Sequence, residues 1–150
     1  MQIKDSFVIN ASQEKVWELL FDIPRLSKCV PGVESVEVLD DKRYRGKLIV
    51  KVGPIKSEFS GIVTLAEVIP PERISGSVEG DDKASASSVK ASFSGTLATV
   101  GAGTEAAFVV DVNLRGRLAQ FGGPVIAATA KKLTADFARN LRAQLEHQVS

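Results

Sequence analysis

The side chains with the most chemistry to offer in this sequence occur once each: Cys29, His147, Tyr44 and Trp17 are the sole residues of their types. A nucleophilic cysteine needs a nearby base or fixed cation to lower its pKa. Around Cys29 the sequence supplies only Arg25 and Lys28, and the imidazole stands near the other end of the chain. An inert, buried or half-buried thiol is the expectation. One cysteine also excludes a disulfide framework and a thiolate zinc or iron–sulfur site, and one histidine excludes a His-rich metal site. His147 falls near the last turn of a predicted helix, where a cation complements the dipole. Adjacent carboxylates occur at Asp40-Asp41 and Asp81-Asp82. Both pairs fall in predicted turns, where such residues satisfy backbone groups and face solvent. Gly101-Ala102-Gly103-Thr104-Glu105-Ala106 loosely matches a dinucleotide fingerprint. That motif works only where its glycines open a helix. An alternating strand follows here, so the segment reads as a hairpin turn. No residue is assigned a catalytic or metal-binding role.

What the chain has in quantity is apolar surface. Of 150 residues, 44% are hydrophobic and 25% charged, and the net charge is +1. That is globular usage rather than disorder, and it creates no field that would draw in nucleic acid. At 16.0 kDa residues 1–150 suit a single domain that folds without a disulfide or a structural metal. Met1-Gln2-Ile3-Lys4-Asp5-Ser6 carries charges where a signal peptide has its apolar run. Charges also interrupt every apolar stretch before the ~18–20 residues of a membrane span. A cytoplasmic protein is expected.

The hydrophobic period changes twice along the chain. Residues 3–10 alternate, with Phe7 and Ile9 on one side and Val8 on the other, as in a strand. Ser12 then stands where an N-cap would, and Val16, Trp17, Leu19, Leu20 and Ile23 recur at helical spacing. Pro24 ends that helix or starts another, which Pro31-Gly32 stops. From Val33 to about Leu114 the period is two, giving six strands: Val33–Leu39, Tyr44–Val52, Ile55–Val68, Ile74–Gly80, Ala86–Leu97 and Thr104–Leu114. Their short links require antiparallel pairing. After Arg115-Gly116 the period returns to 3.6, with Leu118, Phe121, Val125, Ile126, Leu133, Phe137, Leu141 and Leu145 in one stripe. Roughly thirty residues would make a rod on the order of 45 Å long. Gly122-Gly123-Pro124 would kink it unless the helix proper begins near Pro124.

This order resembles the START-related helix-grip superfamily, and within it the carbon monoxide dehydrogenase G-subunit family. The matching stretches are Val16-Trp17-Glu18-Leu19-Leu20, Cys29-Val30-Pro31-Gly32-Val33-Glu34, Val52-Gly53-Pro54, Phe59-Ser60-Gly61 and Pro70-Pro71-Glu72-Arg73. They continue through Gly103-Thr104, then Gly116-Arg117-Leu118-Ala119-Gln120-Phe121-Gly122-Gly123-Pro124-Val125-Ile126, Ala130-Lys131-Lys132-Leu133 and Phe137. The resemblance implies an α+β fold: a seven-stranded curved antiparallel sheet wrapped around a long C-terminal helix, with two short helices after the first strand. It further implies a small protein that serves a molybdenum hydroxylase of the aerobic CO dehydrogenase type, by membrane recruitment or by handling a hydrophobic quinone. Some members continue past the long helix into an extension that contacts the membrane.

A helix gripped by a cupped sheet leaves space for an apolar guest. The expected lining is Trp17, Phe21 and Leu26 from the short helices; Tyr44, Leu48, Val50, Phe59 and Val63 from the strands Tyr44–Val52 and Ile55–Val68; and Phe93, Phe108 and Val110 from the later strands. Phe121, Val125, Ile126, Leu133 and Phe137 complete it from the long helix, with Gly122, Gly123 and Pro124 as portal or hinge. The expected function is non-catalytic binding of an apolar small molecule such as an isoprenoid quinone, with no covalent cofactor. Expected partners are molybdenum hydroxylase subunits and, through the basic face of Lys131, Lys132, Arg139 and Arg142, the inner face of the cell membrane. The alternatives are a polyketide cyclase or aromatase, and an assembly factor without a ligand.

Overall fold

The computed structural model describes residues 1–146; His147 and its expected place in the helix lie outside them. The first alternating segment is strand β1 (Gln2–Ile9), with Ile9 buried and Val8 exposed. Ser12 caps α1 (Gln13–Phe21), its hydroxyl accepting from the Lys15 N–H at 3.3 Å. Asp22 caps α2 (Ile23–Cys29) in the same way through the Arg25 N–H, and Pro24 occupies the first turn, where its missing donor costs nothing. Six strands follow: β2 (Val33–Asp40), β3 (Arg43–Val52), β4 (Ile55–Ile69), β5 (Arg73–Asp82), β6 (Ser87–Val100) and β7 (Gly103–Gly116). All pairs are antiparallel and the sheet order is β1-β7-β6-β5-β4-β3-β2. Gly101-Ala102 is the two-residue loop joining β6 to β7, with φ of +57° at Gly101. It is a hairpin turn, as its alternating surroundings predict.

The C-terminal apolar stripe is two elements rather than one rod. Leu118 and Phe121 belong to a 3₁₀ turn (Arg117–Phe121), and the helix α3 runs from Gly123 to Glu146, 24 residues or about 36 Å. The break sits at Gly122, whose φ of +84° a helix cannot continue through. Pro124 therefore lies in the first turn of α3 and kinks nothing.

The fully buried core gathers at one end of the sheet. Ile9, Val16, Leu19, Cys29 and Leu97 meet Leu141 and Leu145 there, and Phe7 stands edge-on to Phe137 with ring centroids 6.2 Å apart. Polar bonds fix the same end: Asn140 donates to the Cys29 carbonyl at 2.9 Å, Arg142 to the Val8 carbonyl at 3.0 Å, and the Asn10 N–H to Glu146 at 3.1 Å. The buried residues of α3 are Ala138, Leu141 and Leu145, all in its C-terminal half. Its N-terminal half lies over the sheet without burying any residue to that degree.

Curvature comes from glycine. Gly46, Gly61 and Gly80 stand directly opposite one another on β3, β4 and β5 and share the concave face. A Cβ at Gly61 would sit 2.5 Å from the Glu79 carbonyl oxygen and 3.0 Å from the Gly80 Cα. The strands can fold over this line only because the side chains are missing.

Asp82 departs from expectation. It does not face solvent: it ends β5 pointing inward, with 6% exposure. The Ser85 hydroxyl donates to it at 2.9 Å and the Ala84 N–H at 3.1 Å. Ser87, its partner on β6, accepts from the Leu118 N–H at 3.1 Å, so the knot also holds the 3₁₀ turn. Burial pushes the Asp82 carboxyl up, but the Ser85 hydroxyl, the Ala84 and Glu58 N–H groups and the nearby Ser57 hydroxyl outweigh it and leave it below the usual carboxylate range. Ser57 itself is 1% exposed and makes no hydrogen bond of good geometry among the described residues. Asp40, by contrast, is a turn carboxylate as expected, accepting from the Lys42 N–H at 2.9 Å and from Arg43 at 2.8 Å.

Two outcomes are expected from these features. Gly61→Ala lowers stability by about 1–3 kcal/mol in urea unfolding, because the neighbouring backbone must move. The Asp82 pKa is lowered on folding, so its stabilisation is complete above the unfolded value of about 3.9 and is lost as pH falls through the folded value. Asp82→Asn therefore unfolds more easily than the parent at neutral pH, and the gap narrows in melts taken at progressively lower pH through that acid range.

Candidate functional site

Between the concave face and the loosely held half of α3 lies a cavity of about 560 Å³. Its walls are almost entirely hydrocarbon. The short helices contribute Leu20, Phe21, Ile23 and Leu26; β3 and β4 contribute Leu48, Val50, Phe59 and Val63; and α3 contributes Ile126, Ala130 and Leu133. The glycine row forms part of the floor, continued across the sheet by Val89 and Leu114. Val36 of β2 both lines the cavity and is exposed, so the cavity meets solvent along that edge.

Polar groups at the cavity are few. Thr129 spends its hydroxyl on the Val125 carbonyl at 3.0 Å. Arg45 and Lys47 border the cavity but lie within 3.6 Å of Glu37 and 4.0 Å of Glu58 respectively. Tyr44 also lines the wall, and its hydroxyl has no hydrogen-bond partner among the described residues. Among the described residues no acid, histidine or cysteine borders the space. Cys29 is fully buried in the core instead, where desolvation raises its thiol pKa against the opposing pull of Arg25. Such a thiol is a poor nucleophile. Among the described residues no cluster of three metal-ligating side chains occurs.

The structure brings together Phe21, Leu26, Tyr44, Leu48, Val50, Phe59, Val63, Ile126 and Leu133 of the expected lining. It places the rest elsewhere. Trp17 packs on the buried core and leans on Phe21, ring centroids 4.9 Å apart. Phe137 is spent on Phe7. Phe93 and Val110 pair with each other, and Phe108 pairs with Gly95. Their side chains have inward parity but sit further toward the core end than Ala91 and Val112, which do line the cavity. Phe121 lies over Gly53, and Val125 and Pro124 line a neighbouring groove. Gly123 has nothing near its Cα on which a side chain would press.

The sequence profile of the carbon monoxide dehydrogenase G-subunit (CoxG) family matches residues 6–146. The chain belongs to that family. No curated protein matches it. Among solved structures it is similar to a conserved protein from Geobacillus kaustophilus, with TM-score 0.89 and 23% identity over 96% of this chain and 94% of that one. A START superfamily protein from Mycobacterium smegmatis gives TM-score 0.77 at 15% identity, covering 99% of each chain. The Zhui aromatase/cyclase from a Streptomyces species gives 0.73 at 16% identity, covering 100% of this chain and 96% of that one. At such identities the likeness establishes the helix-grip fold and no activity.

The cavity itself is open to test. Ala91→Phe projects a ring into the space from the middle of β6. Expected is a drop of about tenfold or more in affinity for the apolar dye Nile red, followed by fluorescence, with the thermal midpoint held or raised.

Proposed function

We propose that this member of the CoxG family is a non-catalytic carrier. It takes an apolar molecule of the isoprenoid quinone type into the cavity and works beside a molybdenum hydroxylase of the aerobic CO dehydrogenase type. The observation that carries this reading is a space of about 560 Å³ walled mostly by carbon and bordered, among the described residues, by no acid, histidine or cysteine. Burial of an apolar guest there gains roughly 25 cal/mol per Å² removed from water. The polar side chains on the walls are Ser35, Tyr44, Thr129, bonded to its own helix, and the ion-paired Arg45 and Lys47. The family's name supports an association with carbon monoxide dehydrogenase.

Delivery at the inner face of a membrane fits an apolar cargo. Among the described residues no helix is long and apolar enough to cross a membrane, so attachment would be peripheral. Lys131 and Arg139, both exposed on α3, supply cationic groups for it.

Native mass spectrometry of the gently purified protein, followed by organic extraction, tests the cargo. The expected result is a co-purifying apolar molecule, and a short-chain isoprenoid quinone that binds to the emptied protein. Recovery of no apolar ligand, together with failure to bind quinone, overturns the carrier reading. Conversion of a poly-β-keto substrate by the pure protein would show instead that it is an enzyme of the cyclase type.

A further inference from the structure

Tyr44 is a wall residue of the cavity that is neither hydrocarbon nor engaged. It lies on β3 with inward parity, two residues before Gly46 of the glycine row. Straight across the sheet from it, Val63, Val78, Ala91 and Val112 line the same cavity. All four are aliphatic, so packing in this row calls for no hydroxyl. On its other side Tyr44 faces Val38 of β2, which is 55% exposed, and Gly46 faces Val36, the exposed residue at the cavity's open edge. The phenol therefore stands at the mouth.

Its hydroxyl has no partner among the described residues, yet it is not sealed off: the one buried side-chain oxygen left unpartnered among them is that of Ser57. The other polar groups of the wall do not compete with it. The Thr129 hydroxyl is spent on the Val125 carbonyl. Arg45 and Lys47 alternate with the inward Tyr44, Gly46 and Leu48, and Ser35, which faces Lys47, alternates with the inward Val36. Strand parity turns all three side chains to the outer face. A lone neutral donor on an apolar wall suits a neutral guest that carries an acceptor oxygen at one end and hydrocarbon at the other. A charged head there would find no counter-ion on the inner face.

We propose that Tyr44 is the specificity-determining residue of the cavity. Its phenol donates to a carbonyl oxygen of the guest, so a quinone-type ring is held at the β2 edge while the isoprenoid tail runs inward beneath α3. This rests on the carrier reading and deepens it, by giving the neutral cargo one orientation and by favouring carbonyl-bearing guests over plain hydrocarbon.

The test uses the intact protein with two probes: decylubiquinone, and diphenylhexatriene, which has no acceptor atom. Tyr44→Phe removes only the hydroxyl. It should bind the quinone about threefold to tenfold more weakly, bind diphenylhexatriene as the parent does, and keep its thermal midpoint. In infrared difference spectra of the bound quinone, a carbonyl band of the parent should lie below its position in hexane and return toward it in Tyr44→Phe. An unchanged quinone affinity in the variant, or no displaced carbonyl band in the parent, overturns the proposal while probe binding leaves the carrier reading standing. Parallel weakening of both probes in the variant makes the phenol a packing group and also overturns it. A parent that binds neither probe refutes the carrier reading, and the proposal with it.

Discussion

A single helix has to shield the concave face of a seven-stranded sheet, and it is clamped at one end only. Leu141 and Leu145 enter the core with Ile9, Leu19 and Leu97, and three polar bonds pin the same half of α3 to β1 and α2. Full burial of a leucine contributes about 1.5–3 kcal/mol, so this end can hold the helix without help from the other. The half beginning at Gly123 is therefore released from core duty. It bridges over the sheet, and the space beneath it is the cavity. The fold's stability and its empty volume are assigned to opposite ends of one helix.

The sheet supplies the other condition. A flat sheet would leave α3 lying on a surface, with no interior to enclose. The row of Gly46, Gly61 and Gly80 bends the strands and at the same time removes the side chains that would occupy the space so formed. The buried knot of Asp82, Ser85 and Ser87 then anchors the 3₁₀ turn. Leu118 in that turn is fully buried and closes the cavity floor beside the knot, so a polar cluster and a hydrocarbon wall adjoin without mixing.

Much of this was legible in the residues. Strand period, turn chemistry and the Ser12 cap place every strand and α1 within a few residues, because those signals are local. Parity correctly puts Phe93, Phe108 and Val110 on the inner face. It says nothing of how far along the strand the helix presses, and that distance decides between core and cavity wall. Trp17 and Phe137 share helical faces with lining residues for the same reason. The glycines at 46, 61 and 80 were visible as interruptions of inward-facing positions, a signal that gains meaning only once register aligns them. Asp82 could not be told from Asp40 by its neighbours in sequence. Ser87 and the 3₁₀ turn arrive from elsewhere in the chain and convert a turn carboxylate into a buried one.

The position of the charges gives the proposed carrier role its physical ground. Steering an enolate or moving a proton inside an apolar cavity needs groups aimed at the reacting atoms, and their effect is largest where water is excluded. Here Arg45 and Lys47 are engaged with Glu37 and Glu58 at the cavity's border, and Asp82 is saturated by its own turn. Lys51, Lys56 and Lys132, which have no ion pair among the described residues, do not border the cavity. An interior stripped of charge lowers the free energy of any sufficiently apolar guest without distinguishing its ground state from a transition state. Uniform binding of that kind is what the proposed carrier role requires.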